Sequence, residues 1–421
     1  LKKEILKIFE IKRAAIFLYD VAIIGGGIAG LTAATLLSKT GFNVIVLEKN
    51  KNIGDHNKLQ MQGFPAFEIP TLPIDVPLDY KVKKAFLWTP MRSIIPFRFE
   101  KPIMYLHYRG AEHSIDTFLY KLALKAGAEI KTSAEVRKLG TGKIINELTT
   151  SAGTKYKARC ILAADGARSR TRRILDIDVL KPKGIGLGAV MENIEVDSME
   201  IHGAFSEKIA PMGYSYIIGH SDETATVAVS ARPSYLQLKF GEYFKRTLRF
   251  FKSVVDSGRQ NSKFSGIVTC GDGTQTLVHK NLIFIGEAGG FQDPTLGFGM
   301  APSMRSAKLA VKVIDDALNK NIDETVYLRK LMMYDKLAKA SLTRKEIKWK
   351  WILRKEVLEK MNDRELDVIL LSMSGADKRI EMALRTDLKY LWPIAIRSFL
   401  LQPSLSRLFF DVMKSYFRFS S

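Results

Sequence analysis

Residues 19–48 read YDVAIIGGGIAGLTAATLLSKTGFNVIVLE. An apolar run, Tyr19 to Ile24, enters a turn of glycines, a helical stretch runs from Ala29 to about Thr40, and a second β-branched run, Asn43 to Leu47, ends on Glu48. Strand, glycine turn, helix, strand is a βαβ unit. Gly25, Gly27 and Gly30 hold the G-x-G-x-x-G spacing. Gly25 permits the tight turn, Gly27 lets the backbone approach a pyrophosphate, and Gly30 lets the helix pack closely on the strand. Phosphates then meet the helix N-terminus, where unpaired N–H groups and the helix dipole favour negative charge. Glu48 stands near the offset at which a carboxylate accepts a hydrogen bond from a ribose hydroxyl. The unit predicts an adenine dinucleotide site.

No second complete fingerprint follows. Gly184, Gly186 and Gly188 lie close together, but they lack the helix and the acidic strand end that a nicotinamide domain carries. A tightly held FAD therefore explains the single unit better than NAD does. Two further signals point the same way. A short apolar strand, Cys160 to Ala164, runs into Asp165-Gly166-Ala167-Arg168-Ser169 and then Arg170, Arg172 and Arg173. Another, Asn281 to Ile285, runs into Gly286-Glu287-Ala288-Gly289-Gly290, then Pro294, Gly297 and Gly299, and an apolar-periodic helix to about Leu318. Glycines ahead of a helix offer N–H groups to an anion, and the carboxylates beside them suit ribityl hydroxyls.

Between these signals the pattern is weaker. From about Gly54 to Phe99 the chain is rich in Pro and Phe, with little periodicity, which suits a cofactor-covering loop plus strands of a substrate domain or a surface excursion with its own small core. Arg109 precedes a helix, Ser114 to Ala126, with Ser114 as its N-cap. Composition sets the outer limits. With 421 residues, 46% hydrophobic and 26% charged, the chain is an ordinary globular protein, which excludes intrinsic disorder and collagen-like folds. Its 65 basic and 44 acidic side chains leave a net charge of +21, so polyanions are attracted to its surface. No helix-turn-helix, zinc module or RNA-binding aromatic motif is evident and the basic residues are spread along the chain, which argues against nucleic acid as the partner. Cys160 and Cys270 have no paired spacing, so neither a disulfide framework nor a Cys-rich metal site is expected, and a reducing, cytoplasmic compartment is the default. The segment Leu1 to Phe17 carries Glu4 and Glu10 and no small-residue cleavage site, and reads as a short helix leading into the first strand rather than a signal peptide. No apolar run reaches the span of about eighteen residues that a membrane crossing requires.

The three glycine-carboxylate signals, in this order and spacing, resemble those of FAD-dependent oxidoreductases of the para-hydroxybenzoate hydroxylase type, and within them the chain looks most like the geranylgeranyl reductase family, over roughly residues 1–320. The resemblance implies an α/β fold: a Rossmann-like FAD-binding domain assembled from residues 18–60, 105–180 and 268–320, an antiparallel-sheet substrate domain from 61–104 and 181–267, and a helical C-terminal region, 321–421. It implies that Gly25, Gly27 and Gly30 hold the pyrophosphate, with Ile28 and Ala29 alongside, and that Glu48, with Lys49, meets the adenosine ribose. Arg109 and Val136 also fall to the cofactor. Asp165, Gly166, Ser169 and Arg172 match a D-G-x-x-S-x-x-R pattern. Gly286 and Glu287 stand where the family has Gly-Asp on the ribityl chain, and Gly297, Phe298, Gly299 and Met300 form the turn at the pyrimidine edge of the flavin.

For the substrate, Pro211 to Ile218 resembles the family's Pro-x-Gly-Tyr-x-Trp-x-Phe-Pro segment lining a prenyl tunnel; Tyr214 matches and Tyr216 replaces the tryptophan. The implied activity is saturation of prenyl-lipid double bonds by hydride from reduced flavin, with NAD(P)H, a ferredoxin or a quinol as electron donor. No catalytic side chain is identified; His56 and Lys58 are candidates for the proton donor, and the cysteine common in the family's loop after the ribose acid is absent. The alternative is an FAD monooxygenase hydroxylating an aromatic or isoprenoid substrate, and a further one is a carrier that keeps FAD as a relic. Beyond Asp323 the segments Ile347 to Leu358 and Pro393 to Phe410 put apolar residues on one face and basic ones on the other. Such helices either lie on an anionic membrane surface, at the periphery of which a prenyl lipid would be met, or cap the substrate domain.

Overall fold

The computed structural model describes residues 19–55, 60–110, 112–220, 223–294, 296–318, 323–342, 360–385, 392–402, 405 and 407. Leu1 to Phe17, His56, Lys58 and Ile347 to Leu358 lie outside the described residues, as does the end of the Pro393 to Phe410 segment.

The opening unit consists of β1 (Tyr19–Ile24), α1 (Ile28–Lys39) and β2 (Val44–Leu47). Short strands follow: β3 (Gln60–Pro65), β4 (Tyr80–Val82), β5 (Lys84–Trp88), β6 (Ile94–Arg98) and β7 (Met104–Arg109). After α2 (Ile115–Lys125) and β8 (Glu129–Lys131), the hairpin β9 (Val136–Leu139) and β10 (Glu147–Thr150) leads into the long β11 (Lys155–Ala163) and the short α3 (Arg170–Ile174). Then come β12 (Gly184–Glu192), β13 (Glu200–Ala204), β14 (Tyr214–Gly219) and β15 (Thr224–Ala231), the helices α4 (Phe240–Phe250) and α5 (Lys252–Val255), and β16 (Arg259–Val268). The chain returns through β17 (Val278–His279) and β18 (Leu282–Phe284) to the long helices α6 (Met300–Leu318) and α7 (Glu324–Leu342). Last come α8 (Asp363–Leu371), α9 (Asp377–Arg385) and α10 (Trp392–Leu401).

The first sheet runs in the order β17-β18-β11-β1-β2-β8. β1 pairs in parallel with β2 on one side and with β11 on the other. Both faces of these strands are covered: Val21 and Ile23 pack beneath α1, α2 and α6, while Ala22 and Ile24 meet the layer that includes the β9–β10 hairpin. Burial on both sides is why β1 and β2 read as unbroken apolar runs instead of alternating. The chain moves outward from β1 through β2 and later resumes on its other side at β11. The switch point of the sheet thus lies between β1 and β11, and in open α/β sheets ligands bind outside the strand ends at such a point.

The second sheet runs β16-β12-β15-β14-β13-β5-β6, largely antiparallel, and a small sheet, β3-β7-β4, stands between the two. One face of the second sheet packs on α4 and α5 through Ile217, Val227, Tyr243, Phe244 and Phe251. Its other face carries Ile218, Tyr216, Ile95 and Phe97, and is covered by the small sheet and by Leu366, Leu370, Ile380 and Ile394 of α8, α9 and α10. The clustered glycines Gly184, Gly186 and Gly188 sit within β12, where a side chain at Gly188 would collide with the Phe264 ring.

Candidate cofactor and substrate site

Four strand ends meet at the switch point. β1 delivers Gly25–Gly27, β2 delivers Glu48, β11 delivers Asp165, and β18 delivers Gly286 and Glu287. The three glycines of the turn are needed for different reasons. Gly25 has φ +106°, and a side chain there would strike the carbonyl of Ala164 at the end of β11. At Gly30 a Cβ would run into the carbonyl oxygen of Gly25, so α1 can seat itself on the turn only without one. Gly27, by contrast, faces open space with nothing within 4 Å of an added Cβ. It is the N-cap of α1 and offers no side-chain cap, so the amides of the first helical turn at Ile28 and Ala29 point into that opening.

Glu48 is buried and organises the turn. Its carboxylate accepts from the Gly26 N–H at 2.7 Å and from the Asn50 N–H at 2.9 Å, each oxygen keeping capacity for a further donor. Lys49 beside it is exposed. Val136 packs its side chain into the core with Ile24 and Leu47; the neighbouring Ala134 N–H bonds the Glu48 carbonyl at 2.8 Å, which brings this backbone along the strand end. Asp165 accepts from the Thr171 N–H with Oδ2 at 2.8 Å, whereas its buried Oδ1 has no partner. Gly166, at φ +75°, again has nothing near an added Cβ.

Arg109 ends β7 and is buried. Its Nε and Nη2 donate to the two oxygens of Asp116 at 2.7 and 2.9 Å, and Nη1 donates to Gln62 Oε1 at 2.6 Å. A planar guanidinium held on two sides cannot swing, and it projects its charge toward Glu287. Protein packed around Glu287 pushes its carboxyl up to about 7, with Arg109 opposing the shift. Two residues before Arg109 in β7, His107 is buried with Nε2 unpartnered; burial and then Arg109 push it down to about 4, so it is a neutral imidazole at physiological pH.

The turn after β18 closes the site. Gly286 sits at φ +58°, its N–H bonded to Ser306 Oγ at 2.9 Å, and a side chain there would meet Ala29 on α1. Gly297, at φ +74°, and Gly299 wrap Gln292, whose Nε2 donates to the Gly297 carbonyl at 2.7 Å while its buried Oε1 is left without a partner. Met300 opens α6 and is buried. Tyr214 in β14 donates its hydroxyl to the Leu296 carbonyl in this same turn, which ties the second sheet to the first. Its ring lies 5.8 Å from Tyr216 and 6.0 Å from Phe205. Tyr216 is pushed up to about 12 by burial and stays a neutral phenol. A small cavity of about 40 Å³ opens beside Tyr214, lined also by Phe205, Met212, Leu296, Met361 and Leu366.

The residues fit an adenine dinucleotide carrying a flavin. Uncapped helix amides and open glycines suit the pyrophosphate, the carboxylates of Glu48 and Glu287 suit hydroxyls, and the orphaned acceptors Asp165 Oδ1 and Gln292 Oε1 await a donor. Gln62, His107 and Gln292 carried no sequence signal, because only the β3–β7 register and the fold of the turn bring them to the site.

The architecture recurs in solved flavin-dependent enzymes. Residues 23–64 match the family described as NAD(P)-binding Rossmann-like domain. Among curated proteins, the chain is 26% identical over 371 residues to the digeranylgeranylglycerophospholipid reductase of Methanocella arvoryzae, covering 85% of this chain and 92% of that protein. Among solved structures it aligns with a geranylgeranyl bacteriochlorophyll reductase-like protein from Thermoplasma acidophilum at a TM-score of 0.76 and 22% identity, over 89% of this chain and 99% of the other. PqsL, a probable FAD-dependent monooxygenase from Pseudomonas aeruginosa, shares the fold at a TM-score of 0.57 and 16% identity, covering 81% of this chain and 97% of the other.

Proposed function

We propose that the protein is an FAD-dependent reductase that saturates double bonds in the prenyl chains of a lipid. The observation that carries this reading is the hydroxyl of Tyr214 on the Leu296 carbonyl, which sets an aromatic, water-poor surface directly against the glycine turn of the cofactor site. The likeness over most of the chain to a digeranylgeranylglycerophospholipid reductase supports it.

In this reading Gly25, Gly27, Ile28, Ala29 and Gly30 hold the pyrophosphate, Glu48 the adenosine ribose, and Glu287, Arg109 and Asp165 the ribityl and flavin end. Bound FAD, once reduced, supplies the hydride. The chain's own residues supply the setting. Tyr214, Tyr216 and Phe205 exclude water and present ring faces that favour positive charge developing on an isolated alkene. Arg109, fixed by Asp116 and Gln62, keeps a positive charge at the flavin end, where it opposes the loss of negative charge from Glu287. In this division of labour residues 18–60, 105–180 and 268–320 bind the cofactor and 61–104 and 181–267 the substrate, with β3 and β7 sharing the small sheet across the division; of the later helices α7 packs on the first sheet and α8 to α10 on the second. Electrons come from NAD(P)H, a ferredoxin or a quinol. A prenyl lipid resides in a bilayer, so the reading also places the protein at a membrane periphery; no helix among the described residues is long and apolar enough to cross one.

The test is anaerobic. Purified protein is expected to show a flavin absorbance spectrum, to be bleached by a reductant, and to regain its colour when a geranylgeranyl lipid is added, with product mass rising by two hydrogens per bond saturated. Flavin that stays bleached until oxygen is admitted, with oxygen appearing in the product, would instead establish a monooxygenase, the reading favoured by the fold shared with PqsL.

A further inference from the structure

The helix α10 carries apolar residues on its outer side as well as its inner one. Ile394 and Ser398 face the protein, and Ser398 satisfies its own hydroxyl on the Ile394 carbonyl at 2.9 Å. Turned away from them are Pro393, Ile396, Arg397 and Leu400, spaced at i, i+3, i+4 and i+7, and Leu401 ends the helix beside them. Ile396 is 51% exposed, Leu400 73% and Leu401 61%. An apolar stripe turned toward water costs hydration free energy unless something covers it, and clustered exposed apolar residues mark interaction surfaces.

Charge in the neighbouring helices is sorted in the same direction. The acids of α8 and α9 face the protein and take backbone donors. Asp363 accepts from the Glu207 N–H and the Ser206 hydroxyl, Asp367 from Met91, Asp377 from Arg98, and Glu381 from Glu100 and Lys101. Arg364, Lys378, Arg379 and Arg397 of the same three helices are exposed, as is Leu371. Acids turned inward and bases turned outward around an apolar stripe leave an outer surface complementary to a sheet of anionic headgroups over hydrocarbon. The net charge of +21 draws the whole molecule toward such a surface.

We infer that the outer face of α8, α9 and α10 is a docking surface for an anionic lipid bilayer, with Ile396, Leu400 and Leu401 entering the interface and Arg364, Lys378, Arg379 and Arg397 on the headgroups. The inner face of the same helices covers the apolar layer that holds Tyr216, so docking would set that layer at the membrane. This use of the surface rests on the reductase reading; the binding itself does not.

Flotation of the full-length protein with phosphatidylcholine vesicles, with and without about one-third phosphatidylglycerol, tests it. Binding is expected only to the anionic vesicles and is expected to weaken with salt. Lys378→Glu/Arg379→Glu should weaken it by roughly fivefold for each charge neutralised, and further for reversal. Leu400→Asp/Leu401→Asp should abolish it, with far-ultraviolet circular dichroism and bound-flavin content unchanged as evidence of folding. Equal binding by wild type and both variants, or no binding to anionic vesicles, overturns the inference. Turnover of a detergent-dispersed prenyl lipid separates the two readings: a variant that loses vesicles but keeps this turnover supports the docking surface with the reductase intact, and vesicle binding without any turnover supports the docking surface and removes the reductase.

Discussion

At the residue scale, the glycine turn separates space needed by the protein from space kept for a ligand. Gly27 has φ −88° and ψ −171°, an extended backbone that alanine adopts freely, and an added methyl would meet only open space. Gly27→Ala should therefore melt within about 0.5 kcal/mol of wild type. In the pyrophosphate's path the same methyl is expected to weaken FAD binding about tenfold or more, read by quenching of flavin fluorescence, a loss of roughly 1.4 kcal/mol. Gly30→Ala should do the reverse in order of cause: its methyl is driven into the Gly25 carbonyl, so chemical denaturation should show a loss of about 1–3 kcal/mol even without cofactor. Glu287 supplies a pH signature. Its carboxyl titrates at about 7 in the folded protein against an ordinary 4.5, so between these values the folded apoprotein holds a proton that the unfolded chain has released. Stability from this group is then present at pH 4.5 and declines as pH rises toward 7. Glu287→Gln should flatten that slope in apoprotein melts across the window; an unchanged slope would remove Glu287 as its source.

At the element scale, α3 is a short helix whose importance comes from one side chain. Arg172 is buried and donates to three backbone carbonyls: Nε to Ala288 at 2.7 Å, Nη1 to Asp178 at 3.0 Å and Nη2 to Thr276 at 2.8 Å, with its guanidinium 4.3 Å from the Phe284 ring centre. It therefore clasps the turn that carries Glu287. Arg172→Met keeps the length and leaves three carbonyls unpaired, so urea denaturation should show a loss of about 3 kcal/mol, with weaker FAD retention on dialysis. The D-G-x-x-S-x-x-R pattern was visible in the sequence, but the partners, over a hundred positions away in two of three cases, were not. The same divide runs through the fold. β1, α1, β2 and α6 were legible to within a few residues because doubly buried strands and a long amphipathic helix impose strong periodicity, whereas of β11 only the buried end from Cys160 was legible, its more exposed start at Lys155 carrying no apolar run. The strands between Gln60 and Arg98 were not, being only three to six residues long and interrupted by proline. Pro96 sits in β6, an edge strand, where a missing N–H costs no ladder bond.

At the scale of the whole molecule, the second sheet has two apolar faces and they are covered by different parts of the chain. α4 and α5, which follow β15, cover the first; the second is covered by the small sheet and by helices drawn from the far C-terminus. Amphipathic helices were legible there, with a cap on the substrate domain as one of their two readings, but not the attachment itself, which depends on residues some 280 positions earlier. The attachment to β6 is polar and peripheral: Asp377 accepts from the Arg98 N–H at 2.7 Å, and Glu381 from Glu100 at 2.9 Å. These bonds are exposed, so each contributes modestly, on the order of 1 kcal/mol, while the apolar layer beneath supplies the rest. A cover held in this way should open locally at far lower free energy than the doubly buried first sheet unfolds. Asp377→Ala/Glu381→Ala is therefore expected to accelerate hydrogen exchange at the Arg98, Glu100 and Lys101 amides about tenfold or more, corresponding to roughly 1.4 kcal/mol of lost protection, while amides of β1 and β11 exchange as before and the melting temperature barely moves. Uniform acceleration across both sheets would mean that the helices are instead part of one cooperative unit, and that an apolar chain cannot reach Tyr216 by displacing them.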